Sequence, residues 1–504
     1  MNKKLTLSEL VYATQGTLVE ANRAARSLEK LENSFLAGSS NVAESFHPAK
    51  ALTLASLAGT LTFEKVVYDS REVSPSTLFV ALPGELTDGH RFIEEALARG
   101  ATALLVRESW LAEQSRLAEG VYWIAVPDTL LAFQKLAAYW RKQFPSLQVI
   151  GITGSVGKTS TKELVASLLE QRYHVLKSPK SVNTEQSMLP VLLQLQTKDE
   201  YAVLEMGAGY VLGELERLCS VAKPRLGLVL NVSHSHLARM GSLENIARSK
   251  AELVSSLPSA AEGGIAILNG DDPLVKAMAD LTLARPFYYG LQHNYDLWAD
   301  EIETFGLEGI AFTAHYQGQK HHLRLPLLGR HNVYTALAAA AVGLTCNLSW
   351  AEIEAGLQNR QALVRLVALP GLNGSTIIDD RYNASAVSTL AALDLLAEAK
   401  VAGRKLAVLG DMFELGSFAE EAHQLVGRRA AEVVDKLAVI GTLAQTVGRA
   451  AFSAGLPASQ IIFAGSKDEI VEWLKTELAS GDHLLIKASR GMMLEDIVER
   501  VRAK

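Results

Sequence analysis

The chain uses two spacings of apolar residues, and one place shows both in succession. Leu147 to Ile152 (LQVIGI) is a short apolar run of buried-strand type, and TGSVGKTST follows it from Thr153. TKELVASLLEQ then repeats its apolar positions at three- and four-residue intervals. A strand, a glycine-rich loop and an amphipathic helix are therefore predicted in that order. The alternation continues with YAVLEMGA, RLGLVLNVS and IAILNG, and later with STIIDD, KLAVLGD, KLAVIG, IIFAG and HLLIKAS, helical periodicity separating the runs. Such alternation favours parallel sheets with helices on both faces. The segment YDLWADEIETFGLEGIAFTAHYQGQKHHLRLPLL breaks the rhythm with period-two runs and turns, which predicts an antiparallel extension.

These patterns give an α/β fold in three regions. Residues 1–108 carry strand-like KVVYDS, TLFVAL and ATALLV between the turn-forming VSPS and PGELTDGH, with an insertion at about 21–59 rich in Ala, Ser, Leu and Glu. That insertion reads as helical or partly mobile. MNKKLTLSELVYATQG reads as a short amphipathic helix rather than a signal peptide. Residues 109–359 hold the loop unit and a central parallel sheet; residues 360–504 repeat the βα order in a Rossmann-like domain. No G-x-G-x-x-G follows the strands of the last region, so a dinucleotide site has no support there.

Length agrees, since 504 residues exceed one ordinary core and suggest about three domains. The formal charge of −6 gives no general attraction to nucleic acid or anionic membrane, so a polyanion needs a local site. Two distant cysteines, Cys219 and Cys346, suggest no disulfide framework and fit a reducing cytosol. The most apolar segment near the N-terminus, Ala51 to Phe63, spans 13 residues broken by Thr, Ser and Gly. That is below the ~20 needed to span a bilayer, so no integral membrane association is expected.

The loop is a shortened relative of the P-loop, because five residues before Gly157 stands Ile152 while the available glycines are Gly151 and Gly154. Its order of strand, loop and helix aims a helix N-terminus at an anion, with Gly154, Ser155, Val156, Gly157, Lys158, Thr159 and Ser160 around a nucleoside triphosphate. Candidate metal ligands follow strand ends. Thr159 and Glu205 offer the oxygens that Mg²⁺ prefers, whereas His236 and Lys250 are less expected partners. Taken singly, Glu205 also reads as a solvated strand-end carboxylate, His236 as a loop histidine, and Lys250 as an exposed helix lysine. His234 has no separate claim.

The ordered set TGSVGKTS, VNTE, VLEMGAG, NVSHSHLARMGS, IARSKAELV, LNGDDP, GRHNVYTALAAAA, LPGLNGSTIIDDRYNAS, LGDMFELG and KASRGM resembles the Mur ligases over about residues 60–504. YDSREV and ELTDGHRFIEEALARGA extend the likeness into a smaller N-terminal α/β UDP-substrate domain, and DDRYNAS is similar to the branch that adds D-alanyl-D-alanine to UDP-N-acetylmuramoyl-tripeptide. The resemblance implies an ATP-dependent, Mg²⁺-using carboxylate–amine ligase working through an acyl phosphate, cytoplasmic and monomeric. It implies that Lys250 is carbamylated and joins Thr159, Glu205 and His236 about the metal, with Lys158 on the phosphates. It implies further that Asn183, Asn332 and Arg365 face the nucleotide, although Asn332 also reads as a helix N-cap. Asp380, Tyr382, Asn383 and Ser385 would serve the substrates from the third domain, and Asp69, Ser70, Arg71, Asp88 and His90 the uridine end.

Ala238, Thr335, Val364, Ala386 and Ala488 depart from the family's usual acidic residue, Asn, Gly, Pro and Gly. Their clustering keeps a degenerate nucleotide-binding regulatory protein as an alternative, beside another amino-acid ligase of the family. The D-N-P-R motif common in the branch adding the third amino acid is absent. A P-loop ATPase doing conformational work would not need the DSR motif.

Overall fold

The structure is a computed structural model that describes residues 3–19, 61–84, 87–209, 211–362 and 366–503. The expected insertion and Arg365 lie outside the described residues. The chain forms two compact units.

The first unit comprises residues up to Leu147 together with Glu185–Asp199 and Ser220–Ala222. Its five-stranded sheet runs in the order Thr17–Val19, Tyr122–Val126, Ala101–Arg107, Thr77–Val80 and Lys65–Val67. The first pair is antiparallel and the others are parallel. The sequence drew its first region to residue 108, but Tyr122–Val126 pairs with Ala101–Arg107 and carries this sheet beyond that point. The predicted N-terminal helix is Leu7–Thr14. A capping box sets its start: Thr6 Oγ1 accepts from the Glu9 N–H at 3.2 Å, and the Glu9 carboxylate accepts from the Thr6 N–H at 3.0 Å. Helix Thr129–Lys142 buries Phe133, Leu136 and Trp140 at helical spacing, and helix Glu185–Leu192 packs against it.

The second unit holds two sheets. One has nine strands, parallel from Val175–Lys177 at one edge through Tyr201–Glu205, Gln148–Thr153, Leu226–Val229, Ile265–Asn269 and Arg285–Gly290 to Leu297–Thr304. Ile310–Tyr316 and Gln319–Leu325 then pair antiparallel, the extension that the period-two segment predicts. Helix Lys158–Leu169 is buried along most of its length. The alanine-rich helix Asn332–Thr345 and the following Trp350–Leu357 cover it. Their small residues permit close approach: a Cβ at Gly356 would lie 2.6 Å from Leu168 Cα.

The other sheet has six strands, ordered Val367–Pro370, Thr376–Asp379, His483–Lys487, Lys405–Gly410, Lys436–Ile440 and Ile461–Ala464. All its pairs are parallel except the first. Among the described residues no helix is long and apolar enough to cross a membrane.

Candidate active site

The shortened loop is built as an anion cradle. Gly157 takes φ 89°, a conformation that favours glycine, and opens helix Lys158–Leu169 without a side-chain cap, so the positive end of the helix dipole faces an incoming anion. Asn231 holds the loop in place, its Oδ1 accepting from the Val156 N–H at 2.9 Å and its Nδ2 donating to the Val156 carbonyl at 3.0 Å. The Ser233 N–H donates to Ser155 Oγ at 2.8 Å. Lys158 Nζ folds over the loop and donates to the Gly154 carbonyl at 2.7 Å. Ser160 lies in the first turn of the helix.

Glu205, at the end of the adjoining strand, is 1% exposed. Its solvated alternative is excluded. Thr159 Oγ1 donates to one carboxylate oxygen at 2.7 Å and Asn183 Nδ2 to the other at 2.8 Å. The MGAG turn that follows supplies seats for two neighbours. A Cβ at Gly207 would lie 2.9 Å from Asn183 Cγ, and one at Gly209 would lie 2.8 Å from His236 Cγ. The sequence marks these glycines as a turn but not as seats.

Lys250, on helix Leu243–Ser255, is 2% exposed, which rules out the exposed-lysine alternative. Its place was legible in one respect: it shares helical spacing with the buried Ile246, Leu253 and Val254. Among the described residues its amine has no hydrogen bond or ion pair. Burial, reinforced by the like charge of Lys158, pushes it down to about 7. An amine in that range is substantially neutral at physiological pH and therefore nucleophilic.

His236 takes a left-handed backbone conformation, φ 63°. Its Nδ1 lies 2.5 Å from Glu414 Oε2, and this bond is the main cause holding the Glu414 carboxyl below its ordinary range. The backbone reinforces the contact, the Ala238 N–H donating to the Glu414 carbonyl at 3.1 Å. His234 instead stacks on Phe418, with ring centroids 4.4 Å apart. Glu414 was not singled out from the sequence, since nothing in LGDMFELG points across some 180 residues to a histidine.

The third-region loop is anchored from below. Buried Lys487 donates to Asp380 at 2.6 Å and to the Asn383 carbonyl at 2.9 Å. The Tyr382 hydroxyl bonds Ser181 and accepts from Arg490 Nη1 at 3.1 Å. Ser385 caps helix Ala386–Glu398. Ala488 is fully buried, its methyl in space that Gly410 leaves: a Cβ there would lie 2.6 Å away. Asn332 is not an N-cap. The chain is already helical at His331 (φ −61°, ψ −23°), so Asn332 begins the helix, donates to the Leu328 carbonyl at 2.7 Å and accepts from Thr335 Oγ1 at 2.9 Å.

In the first unit, Asp69 caps the turn Ser70–Glu72 and pairs with the exposed Arg71 guanidinium at 2.6 Å. The Ser70 hydroxyl is buried and donates to Glu95 at 2.8 Å. His90 is buried too, with Nδ1 at 2.6 Å from Asp88 and Nε2 accepting from the Arg107 N–H at 3.0 Å. The side-chain bonds of Ser70 and His90 are thus spent within the fold, whereas Asp69, Arg71 and Asp88 keep exposed atoms.

Thr159 and Glu205 give a hydroxyl and a carboxylate side by side, the oxygen donors that fit Mg²⁺ when phosphates and waters complete its shell. Among the described residues no cluster of three or more His, Cys, Asp or Glu side chains forms a cation site by itself. The amine of Lys250 fits a cation only after conversion to an anion.

A parallel sheet with an anion-binding loop at its strand ends, joined to a second βα sheet that carries loops to the same region, defines a P-loop α/β protein. Its relatives narrow the class. Residues 62–141 match the Mur ligase family catalytic domain, 152–343 the Mur ligase middle domain, and 364–490 the Mur ligase glutamate ligase domain. The UDP-N-acetylmuramoyl-tripeptide–D-alanyl-D-alanine ligase of Synechocystis sp. is 34% identical over 461 residues, 90% of this chain and 95% of that protein. The protein of the same name from Escherichia coli is 35% identical over 448 residues, 88% and 94% of the two chains. A crystal structure of MurF from Acinetobacter baumannii superposes with a TM-score of 0.80 at 26% identity, covering 99% of this chain and 98% of its own. MurF of Thermotoga maritima in complex with ADP gives 0.72 at 27% identity, covering 86% and 96%. The chain belongs to the Mur ligase family.

Proposed function

We propose that the chain joins D-alanyl-D-alanine to UDP-N-acetylmuramoyl-tripeptide with ATP, giving the UDP-muramoyl-pentapeptide of peptidoglycan synthesis. The observation that carries this reading is the conjunction of Lys158, the Thr159–Glu205–Asn183 cluster and the buried Lys250, whose amine has no hydrogen bond or ion pair among the described residues. Relatives of that named activity, aligned over about nine-tenths of the chain, support it.

A carboxylate is a poor acyl donor because its oxygen leaves badly. Transfer of the ATP γ-phosphoryl to the tripeptide carboxylate gives ADP and an acyl phosphate. The dipeptide amine then attacks the acyl carbon, losing a proton, and phosphate leaves. Lys158 and the loop N–H groups are suited to the β- and γ-phosphate charge. Thr159 and Glu205 would hold Mg²⁺, with His236 and modified Lys250 as further ligands or orienters. Mg²⁺ supplies neutralisation of phosphate charge. The neutral Lys250 amine can add CO₂ and release a proton, becoming an anionic carbamate. Asn183, Asn332 and Arg365 fall to the nucleotide, with Asn332 giving up one of its present bonds for an adenine contact. Asp380, Tyr382, Asn383 and Ser385 fall to the amine and peptide; Asp69, Arg71 and Asp88 to the uridine end, with Ser70 and His90 supporting them.

The reading places the protein in the cytoplasm as a monomer; the buried free thiols Cys219 and Cys346 fit a reducing compartment. The test is incubation with ATP, UDP-muramoyl-tripeptide and a panel of amines, followed by mass analysis. Pentapeptide formation with D-alanyl-D-alanine is expected. ATP hydrolysis without product, or preference for a single amino acid, would overturn it. A ¹³C-bicarbonate NMR signal of a lysine carbamate, absent in Lys250→Arg, is expected for the modification.

A further inference from the structure

We infer that Glu414 is a positioning residue for His236, fixing the imidazole with its proton on Nδ1 and leaving Nε2 as the ring's available lone pair. The inference rests on the proposed reading insofar as His236 serves the ligase reaction. Its geometric basis is separate.

An ionised carboxylate only accepts hydrogen bonds, so at 2.5 Å from Glu414 Oε2 the Nδ1 atom is the donor. Among the described residues Nε2 has no hydrogen-bond partner. Two neighbours hold the ring. Gly209 lies so close that an added Cβ would be 2.8 Å from His236 Cγ, and Glu414 bonds Nδ1.

The backbone pays for this arrangement. His236 and Glu414 both take φ 63° although neither is glycine, a strained conformation that persists where neighbours enforce it. The Ala238 N–H bond to the Glu414 carbonyl supplies part of that enforcement. Gly416 supplies another, since a Cβ there would lie 3.1 Å from the Ala238 backbone. His236 follows a strand of the nine-stranded sheet and Glu414 a strand of the six-stranded sheet, so the bond ties the ring's orientation to the second sheet. A carboxylate behind a histidine fixes tautomer and orientation together, and removing such a partner typically costs about 10–100-fold in function.

Glu414→Ala and Glu414→Gln separate this role from plain structural support, because the glutamine carbonyl can accept the same Nδ1–H bond without the charge. In the ligation assay kcat is expected to fall about 10–100-fold in Glu414→Ala, with KM for ATP changed little, and to recover mostly in Glu414→Gln. Long-range ¹H–¹⁵N spectra of ¹⁵N-histidine-labelled protein, with His236 identified by its loss in His236→Gln, should show the Nδ1–H tautomer in the wild type and a shift to Nε2–H in Glu414→Ala. A wild-type Nε2–H tautomer, unchanged kcat in Glu414→Ala, or a glutamine variant as impaired as the alanine one overturns the inference. Absence of ligation by the wild type would overturn the functional reading instead, and the wild-type spectrum would still decide the tautomer.

Discussion

Thr159 donates its hydroxyl to Glu205 across 2.7 Å, and that bond joins the first turn of the loop helix to the end of the neighbouring strand. Thr159→Val keeps the side-chain shape and removes the donor, leaving one oxygen of a buried carboxylate short of a partner. A loss of about 1–3 kcal/mol in urea unfolding is expected, with ligation reduced at least as strongly. Equal stability and turnover would show that the bond matters to neither.

Gly209→Ala tests the seat beneath His236. The added methyl would sit 2.8 Å from the ring, so the imidazole must move by several tenths of an ångström or more. Misplacement of about 1 Å can cost on the order of 100-fold in rate. A large fall in kcat with a nearly unchanged melting temperature is expected. Full activity would mean that the ring position is not critical.

Lys487→Met removes the cation from beneath the third-region loop while keeping much of its volume. Its partner Asp380 is only partly exposed, and breaking such a buried pair costs about 3–5 kcal/mol. Chemical denaturation should show that loss, and the KM for D-alanyl-D-alanine should rise. A variant as stable as the wild type would assign the loop's order to other contacts.

His90 provides a pH signature in the first unit. Burial, its largest cause, holds the imidazole below its ordinary 6.5. Below that pH the unfolded chain takes up a proton that the folded site refuses, so His90's contribution to stability is full above 6.5 and is lost as pH falls through the folded value. A histidine NMR titration should place the His90 midpoint below 6.5. A midpoint at or above 6.5 would contradict the burial argument.

The fold was legible where apolar period alone decides. Every strand run quoted for the second unit forms a strand, and the antiparallel extension appears where alternation replaces the longer runs. Tyr122–Val126 was not assigned to the first sheet because strand partners depend on pairing through space rather than on local spacing. The loop and Glu205 stand out by residue type after strand ends, whereas Lys250 taken singly reads as an exposed helix lysine and is picked out as a site residue only by the family resemblance. The Glu414–His236 bond and the glycine seats did not, because each is a distance between segments remote in sequence. Asn332 misled for a local reason: the helix begins one residue earlier than its Asn suggests.

The interleaving of the two units along the chain has a consequence for synthesis on the ribosome. The stretch ending at Leu147 emerges first, yet its unit also needs Glu185–Asp199, which follows residues belonging to the other unit. Until then Trp140 lacks the Leu195 carbonyl that accepts its indole hydrogen at 3.3 Å, and the buried Met188, Leu189 and Leu192 are missing from the helix beside it. A nascent chain halted just short of Glu185 therefore carries an unfinished apolar face. The glycine-rich loop and its helix are already translated when that face closes, so maturation of the first unit waits on part of the second.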